Sequence, residues 1–291
     1  MDELVPLPDS ASRRSHHHRW QFSLRTLLLG MTIISALLAI SLRWIGPAQR
    51  QRAAVLAIRN LGGGARYAPS AADESWLKTR LRDWLPQDYF DDVIAVYYFR
   101  QTVVDADLMP LRGLRQLKML DLNGSETTDA GLENLLQLNE LRELNLSGTP
   151  VTDAGLKNLL HLHELRTLDL SGTPVTDAGL LRLGNLKQLN SIYIGRTRAT
   201  DACLPQLAQW TQLEQLWLNE TAITDAGLEH LGGLTQLKEL GLFGTKVSDA
   251  GLTHLSNLKQ LRWLDLNRTA VTTAGKNLLQ KKLRGCAIAH D

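Results

Sequence analysis

From Val93 onward, apolar residues return in a fixed rhythm of 24 positions. In the stretch LRELNLSGTPVTDAGLKNLLHLHE, which begins at Leu141, that rhythm changes period partway along. Leu141, Leu144 and Leu146 end in the alternation of a short strand with one buried face. Leu156, Leu159 and Leu162 take the three-residue spacing of a helix face. Between them, Thr152 and Asp153 predict a helix N-cap and a first-turn acid, which satisfy free amides and suit the helix dipole. Seven such units follow one another in register from Val93 to Gln260, and a further copy opens at Leu261. A period of this size predicts a solenoid, because each unit can bury its apolar face only against its neighbours.

Stacking sets like positions over like. The leucines form a continuous core, with Val151, Val175, Ile223, Val247 and Val271 as one more column. Roughly 1.5–3 kcal/mol for each buried side chain makes this core outweigh any surface charge. Thr149, Thr173, Thr197, Thr221, Thr245 and Thr269 recur at the turn after the strand, where a hydroxyl bonds backbone groups. Gly155, Gly179, Gly227 and Gly251 predict close approach between neighbouring helices. Both ends depart from the pattern, as the caps of a solenoid do. Val93 to Tyr98 is a degenerate first strand, and Trp76, Leu77, Leu81, Trp84 and Leu85 predict a helical face covering the open core. Leu283, Cys286 and Ile288 predict a last strand. Ala53 to Asn60 reads as a short amphipathic helix stopped by Gly62, Gly63 and Gly64, residues 65–67 as a strand, and Ser70, Ala71 and Ala72 as a linker.

The combination L-x-x-L-x-L-x-x-T followed by T-D-A-G-L resembles the leucine-rich repeat, with Thr where many members carry Asn or Cys. The T-D-x-G-L half is similar to the helix-bearing subclass related to cysteine-containing repeats. The resemblance covers about 190 of the 291 residues. It implies an α/β horseshoe solenoid with a parallel concave sheet and convex helices. It says little about a ligand, because function resides in surfaces grafted on such a fold.

Ahead of the array, residues 26–42 carry no charge. With Arg25 and Arg43 snorkelling and Trp20 and Trp44 at the interfaces, the run approaches the ~20 residues of a transmembrane helix. A cleaved signal peptide is the alternative: Ala39 and Ser41 suit a cut, although the polar leader is long for one. The run F-S-L-R-T-L-L resembles the amino-terminal anchor of bacterial membrane-anchored leucine-rich repeat proteins. The expected division is a polar segment 1–25, a transmembrane helix 26–45, a linker and cap 46–92, and the repeat domain 93–291. Arginines stand on both sides of the span, and His16, His17 and His18 precede it, so charge barely sets its orientation. A single anchor near the amino terminus predicts a repeat domain outside the cytoplasm.

A net charge of +2 with no dense basic stripe argues against a nucleic-acid partner. Cys203 and Cys286 fall four units apart, roughly 20 Å at ~4.8 Å per strand, too far for a disulfide. No nucleophile elbow, phosphate loop, paired-cysteine motif or H-E-x-x-H is present, so no enzyme, cofactor or metal is expected. His230 with His254, and His161 with His163, read as solvated, and the Asp153 column as helix-start residues. Lys118, Arg142, Arg166, Lys238 and Arg262 form a basic column beside Asp121, Glu143, Asp169, Glu239 and Asp265. That is a charge-balanced face, able also to steer an anionic partner.

The concave positions carry the main functional signal. Between the strand leucines they run Tyr97, Asp121, Asn145, Asp169, Tyr193, Trp217, Gly241, Asp265, with Phe99, Phe243 and Trp263 nearby. Tyr193, Trp217, Phe243 and Trp263 therefore predict a binding patch, since Trp and Tyr dominate interface hot spots. The competing reading is cross-strand packing with no ligand. The expected function is a membrane-anchored repeat domain that recognises a protein through its concave face. The alternative is a structural envelope component that self-associates.

Overall fold

The computed structural model describes residues 24–40, 45–69, 80–98 and 103–291. Trp20, Arg43, Trp44, the histidines at 16–18, the linker at 70–72, Trp76, Leu77 and Phe99 lie outside them. Two compact units separate at Ile45. In the first, α1 (Leu24–Ile40) has 17 residues, and Leu28, Leu29, Met31, Ile33, Ile34 and Leu38 are exposed along it. Among the described residues no helix is long and apolar enough to cross a membrane. At 1.5 Å per residue α1 covers about 25 Å, against a hydrocarbon core of ~30 Å. The span expected over residues 26–45 is therefore not met by the helix described.

The second unit is the solenoid. After α2 (Gly46–Asn60), one sheet runs in strict chain order through β1 (Gly64–Tyr67), β2 (Val93–Tyr97), β3 (Met119–Asp121), β4 (Glu143–Asn145), β5 (Thr167–Asp169), β6 (Ser191–Tyr193), β7 (Gln215–Trp217), β8 (Glu239–Gly241), β9 (Trp263–Asp265) and β10 (Ala287–Ala289). From β2 onward every pairing is parallel, and each residue faces the one 24 positions away from β3 to β10. The middle residue of each strand from β3 to β9 is a Leu or Ile buried in the core. The first and third residues therefore stand on the open face, the concave face of the expected horseshoe.

The return path differs from the expected row of α-helices. Gly131–Leu135, Gly155–Leu159 and Gly251–Asn257 are 3₁₀ turns. Only α3 (Asp177–Arg182), α4 (Leu204–Leu207), α5 (Asp225–Leu228) and α6 (Thr273–Lys282) are α-helical. The reason is spacing. Units stack at the ~4.8 Å strand separation, while a full α-helix is ~10–12 Å across, so short tight turns fit where long helices would crowd.

The carboxyl-terminal cap is β10; of the expected Leu283, Cys286 and Ile288, only Ile288 lies in it, Leu283 capping the end of α6. The amino-terminal cap is not the helix face expected around Trp84. Leu81 and Leu85 are about two-fifths exposed and Trp84 is 85% exposed. Instead α2 buries Ala54, Val55 and Ile58 in the core, and β1 adds an antiparallel strand to β2. Periodicity identified an apolar face there but not what it packs against. A polar cluster fixes this cap: Arg82 grips the buried Asp91 carboxylate at 2.7 and 2.8 Å, and Gln51 donates to the carbonyls of Asp88 and Asp91.

Candidate functional site

Most recurring polar residues are occupied in holding one unit to the next. The Asp153 carboxylate accepts the Thr176 amide at 2.8 Å and its hydroxyl at 2.6 Å, while Thr176 Oγ1 accepts from the Ala178 amide. The same ladder recurs from Asp105–Thr128 to Asp249–Thr272, with Ser248 once replacing Thr. It also explains the glycines more closely than helix contact does. A Cβ on Gly179 would run into the Asp153 carboxylate. At Cys203, which holds the equivalent position, the thiol donates to the Thr200 carbonyl. Burial first, then the charge of Asp177, pushes that thiol far above its ordinary range, and burial pushes Cys286 up to about 11. Both cysteines are free and buried. The threonine column donates to the carbonyl three residues back, as Thr173 does to Leu170 at 2.6 Å. His230 and His254 are exposed, and His161 bonds the Leu135 carbonyl. Among the described residues no group of three or more His, Cys, Asp or Glu has the arrangement of a metal site.

On the open face the units divide. Asp121, Asn145 and Asp169 each accept from the amide two residues on, at 2.8–3.0 Å, closing a small turn. The chain then passes through Gly124, Gly148 or Gly172 with φ near +70°. In the next two units, Tyr193 and Trp217 replace the turn-closing side chain. The left-handed position there holds Arg196 and Glu220, both at φ +54°. A residue with a Cβ in that conformation costs about 1 kcal/mol relative to Gly. Arg268 repeats the substitution one unit after Gly244, although Asp265 still closes its own turn.

The structure brings together two of the four expected patch residues. Tyr193 and Trp217 stack with ring centroids 6.1 Å apart and planes 16° from parallel. Tyr193 donates its phenol to Gln215 Oε1 at 2.7 Å. Its ionisation is pushed up by burial first and then by the carboxylates of Glu239 and Asp169. The Trp217 ring lies across β8, where a Cβ on Gly241 would come within 2.5 Å of Cε3. Gly241 is therefore what lets the indole lie down on the sheet. Trp217 Nε1 is buried without a hydrogen-bond partner.

The other two residues stand apart. Trp263 is 40% exposed and pairs in register with Glu239 and Ala287, two strands and two residues away from Trp217. Phe243 lies past the strand end, with Arg268 over its ring at 5.3 Å. It lines a shallow cleft of about 330 Å³ with Ser171, Gly195, Asn219 and the Arg196–Glu220 ion pair, itself closed at 2.7 Å. Sequence reasoning missed this ridge of Arg196, Glu220 and Arg268. The signal was available: S-G-T at 147–149 and 171–173 becomes G-R-T, N-E-T and N-R-T in later units.

The leucine-rich repeat region family matches residues 95–250. No curated protein matches the chain. An internalin from Listeria monocytogenes is similar in structure, with TM-score 0.57 and 22% identity over 77% of this chain and 100% of that one. The plant peptide hormone receptor RGFR1 in complex with RGF2 aligns at TM-score 0.40 and 13% identity, over 63% of this chain and 37% of the receptor.

Proposed function

Because the chain belongs to the leucine-rich repeat family, we propose that it is a recognition module that binds another protein through the open face of its sheet. The observation that carries this reading is the stacked Tyr193–Trp217 pair laid over Gly241. Neighbouring units place turn-closing Asp or Asn at that position, so the fold has a cheaper local solution there. An amphipathic aromatic pair on an open sheet face is the usual material of interface hot spots. The Asp column is engaged in the ladder, and the threonine column is engaged with the backbone carbonyl three residues back. The role this supports is binding.

The module is held at a membrane by the segment 26–45, with the repeats outside the cytoplasm. Support comes from α1, whose apolar side chains are exposed at Leu28, Leu29, Ile33, Ile34 and Leu38; a helix apolar on all sides seeks protein or lipid. Removing residues 1–45 should move the repeat unit from the membrane fraction to the soluble one. A truncated chain that remains with membranes would remove the tether from this reading.

A photo-crosslinker at position 193 tests recognition directly, with one at His254 as the control. A single stoichiometric protein captured from position 193 alone is expected. Capture of nothing but further copies of this chain would favour a self-associating envelope component instead.

A further inference from the structure

Every charged residue at the open-face strand positions from β3 to β9 is acidic: Asp121, Glu143, Asp169, Glu239 and Asp265. Among the described residues, no Lys or Arg forms an ion pair with any of them. Lys118, Arg142, Arg166 and Arg262, each one residue ahead of a strand, stand beside this row as the repeat pattern predicts, but none closes an ion pair with it. Lys238 pairs with Glu214 at 2.6 Å, and Arg196 with Glu220. Asp121, Asp169 and Asp265 each use one oxygen to close a turn. The second oxygen of each is left to solvent or to a guest. The Tyr193–Trp217 pair lies in the middle of this row, with Asp169 on the adjacent strand β5 and Glu239 on the adjacent strand β8.

Aromatic faces bordered by unpaired carboxylates suit one class of guest. The ring face attracts a cation, the carboxylates complement it, and an anionic guest is repelled. From β5 to β8 is three strand steps, roughly 14 Å at ~4.8 Å each, or about four residues of extended chain at ~3.3 Å per residue. We propose that the open face docks a basic, extended protein segment. Two Lys or Arg side chains about four residues apart meet Asp169 and Glu239, and the chain between them crosses the Tyr193–Trp217 pair. This rests on the reading of the open face as a protein-binding surface, and it adds the chemistry of the partner. The negative field that selects the guest is already felt at Tyr193, where Glu239 and Asp169 both disfavour the phenolate.

The test uses the full chain in detergent and three labelled peptides of about nine residues, long enough to overrun the platform at ~3.3 Å each. One carries two arginines four residues apart, the second carries glutamates there, and the third serines. Fluorescence anisotropy should show the arginine peptide binding at least tenfold more tightly than the other two. Its affinity should fall as salt rises from roughly 0.01 M to about 0.3 M. Asp169→Asn with Glu239→Gln should weaken it at least tenfold without changing the melting temperature. Asparagine preserves the turn at 169, as Asn145 does one strand away. Equal binding of the three peptides, absence of binding, or indifference to the double variant would overturn the proposal. If Trp217→Ala releases the crosslinked partner while the amide variants do not, recognition by this face stands and its preference for cations falls.

Discussion

The units at β3–β5 and those at β6–β8 share a core and differ on the open face. In the first group the strand-end side chain closes its own turn and a glycine carries the left-handed residue. The strand-end position there is accounted for by the turn it closes. In the second group the turn-closing side chain gives way to Tyr193, Trp217 and Gly241, and Arg196 and Glu220 enter the left-handed position. The buried aliphatic columns and the carboxylate ladder continue beneath both, with Ile192 in β6 and Ile194 just past it for Leu, and Ser248 for Thr after β8. In a repeat protein, what recurs holds the array together, and what departs from the pattern while leaving the ladder intact marks a surface under a different demand. Local strain at such a place fits a functional site.

The shared core should respond alike in both groups. Leu168→Asp and Leu216→Asp each put an unpaired carboxylate at a fully buried position. Each should cost more than about 4 kcal/mol, seen as loss of the cooperative melt. Survival of either array would mean that the strand register is wrong. The ladder comes next. Asp153→Ala and Asp201→Ala remove equivalent carboxylate bonds to Thr176 and Thr224, and each should lower stability by about 2 kcal/mol in urea titrations. A large difference between them would break the claim of a common scaffold. Gly241→Ala should displace the Trp217 ring and shift its fluorescence, at a cost of about 1 kcal/mol as the ring gives way. Smallest of all, Glu220→Gly relieves a left-handed Cβ and removes an exposed ion pair, two small and opposed effects. The net should be neutral to slightly stabilising by differential scanning calorimetry. A clear loss would make the ridge part of the scaffold.

The strand and turn order was legible because Leu144, Leu168, Ile192 and Leu216 repeat every 24 residues, and period 2 has one structural meaning. The caps were less so. Leu81, Trp84 and Leu85 have the right spacing for a covering helix, yet the core is closed by Val55 and Ile58 on α2. Spacing marks an apolar face without naming its neighbour. The same limit separated the expected four-residue patch into the Tyr193–Trp217 pair, an isolated Trp263 and Phe243 on the ridge. Tyr193 and Trp217 share one position of the repeat, whereas Trp263 stands in the position of Glu239 and Phe243 lies past the strand end. The ridge itself was passed over because Arg and Glu look like ordinary surface residues until their left-handed backbone is seen. The glycine they replace was the available clue.

The most direct measurement pairs two readouts on Trp217→Ala: melting temperature, and affinity for the protein captured by crosslinking from position 193. His230→Ala with His254→Ala on the opposite side serves as the control. The expected result is a melt within a few degrees of the parent and an affinity loss of about 2 kcal/mol, close to thirtyfold. A variant that melts much earlier but binds its partner unchanged would make the aromatic pair packing, and the open face would lose its claim to be the binding surface.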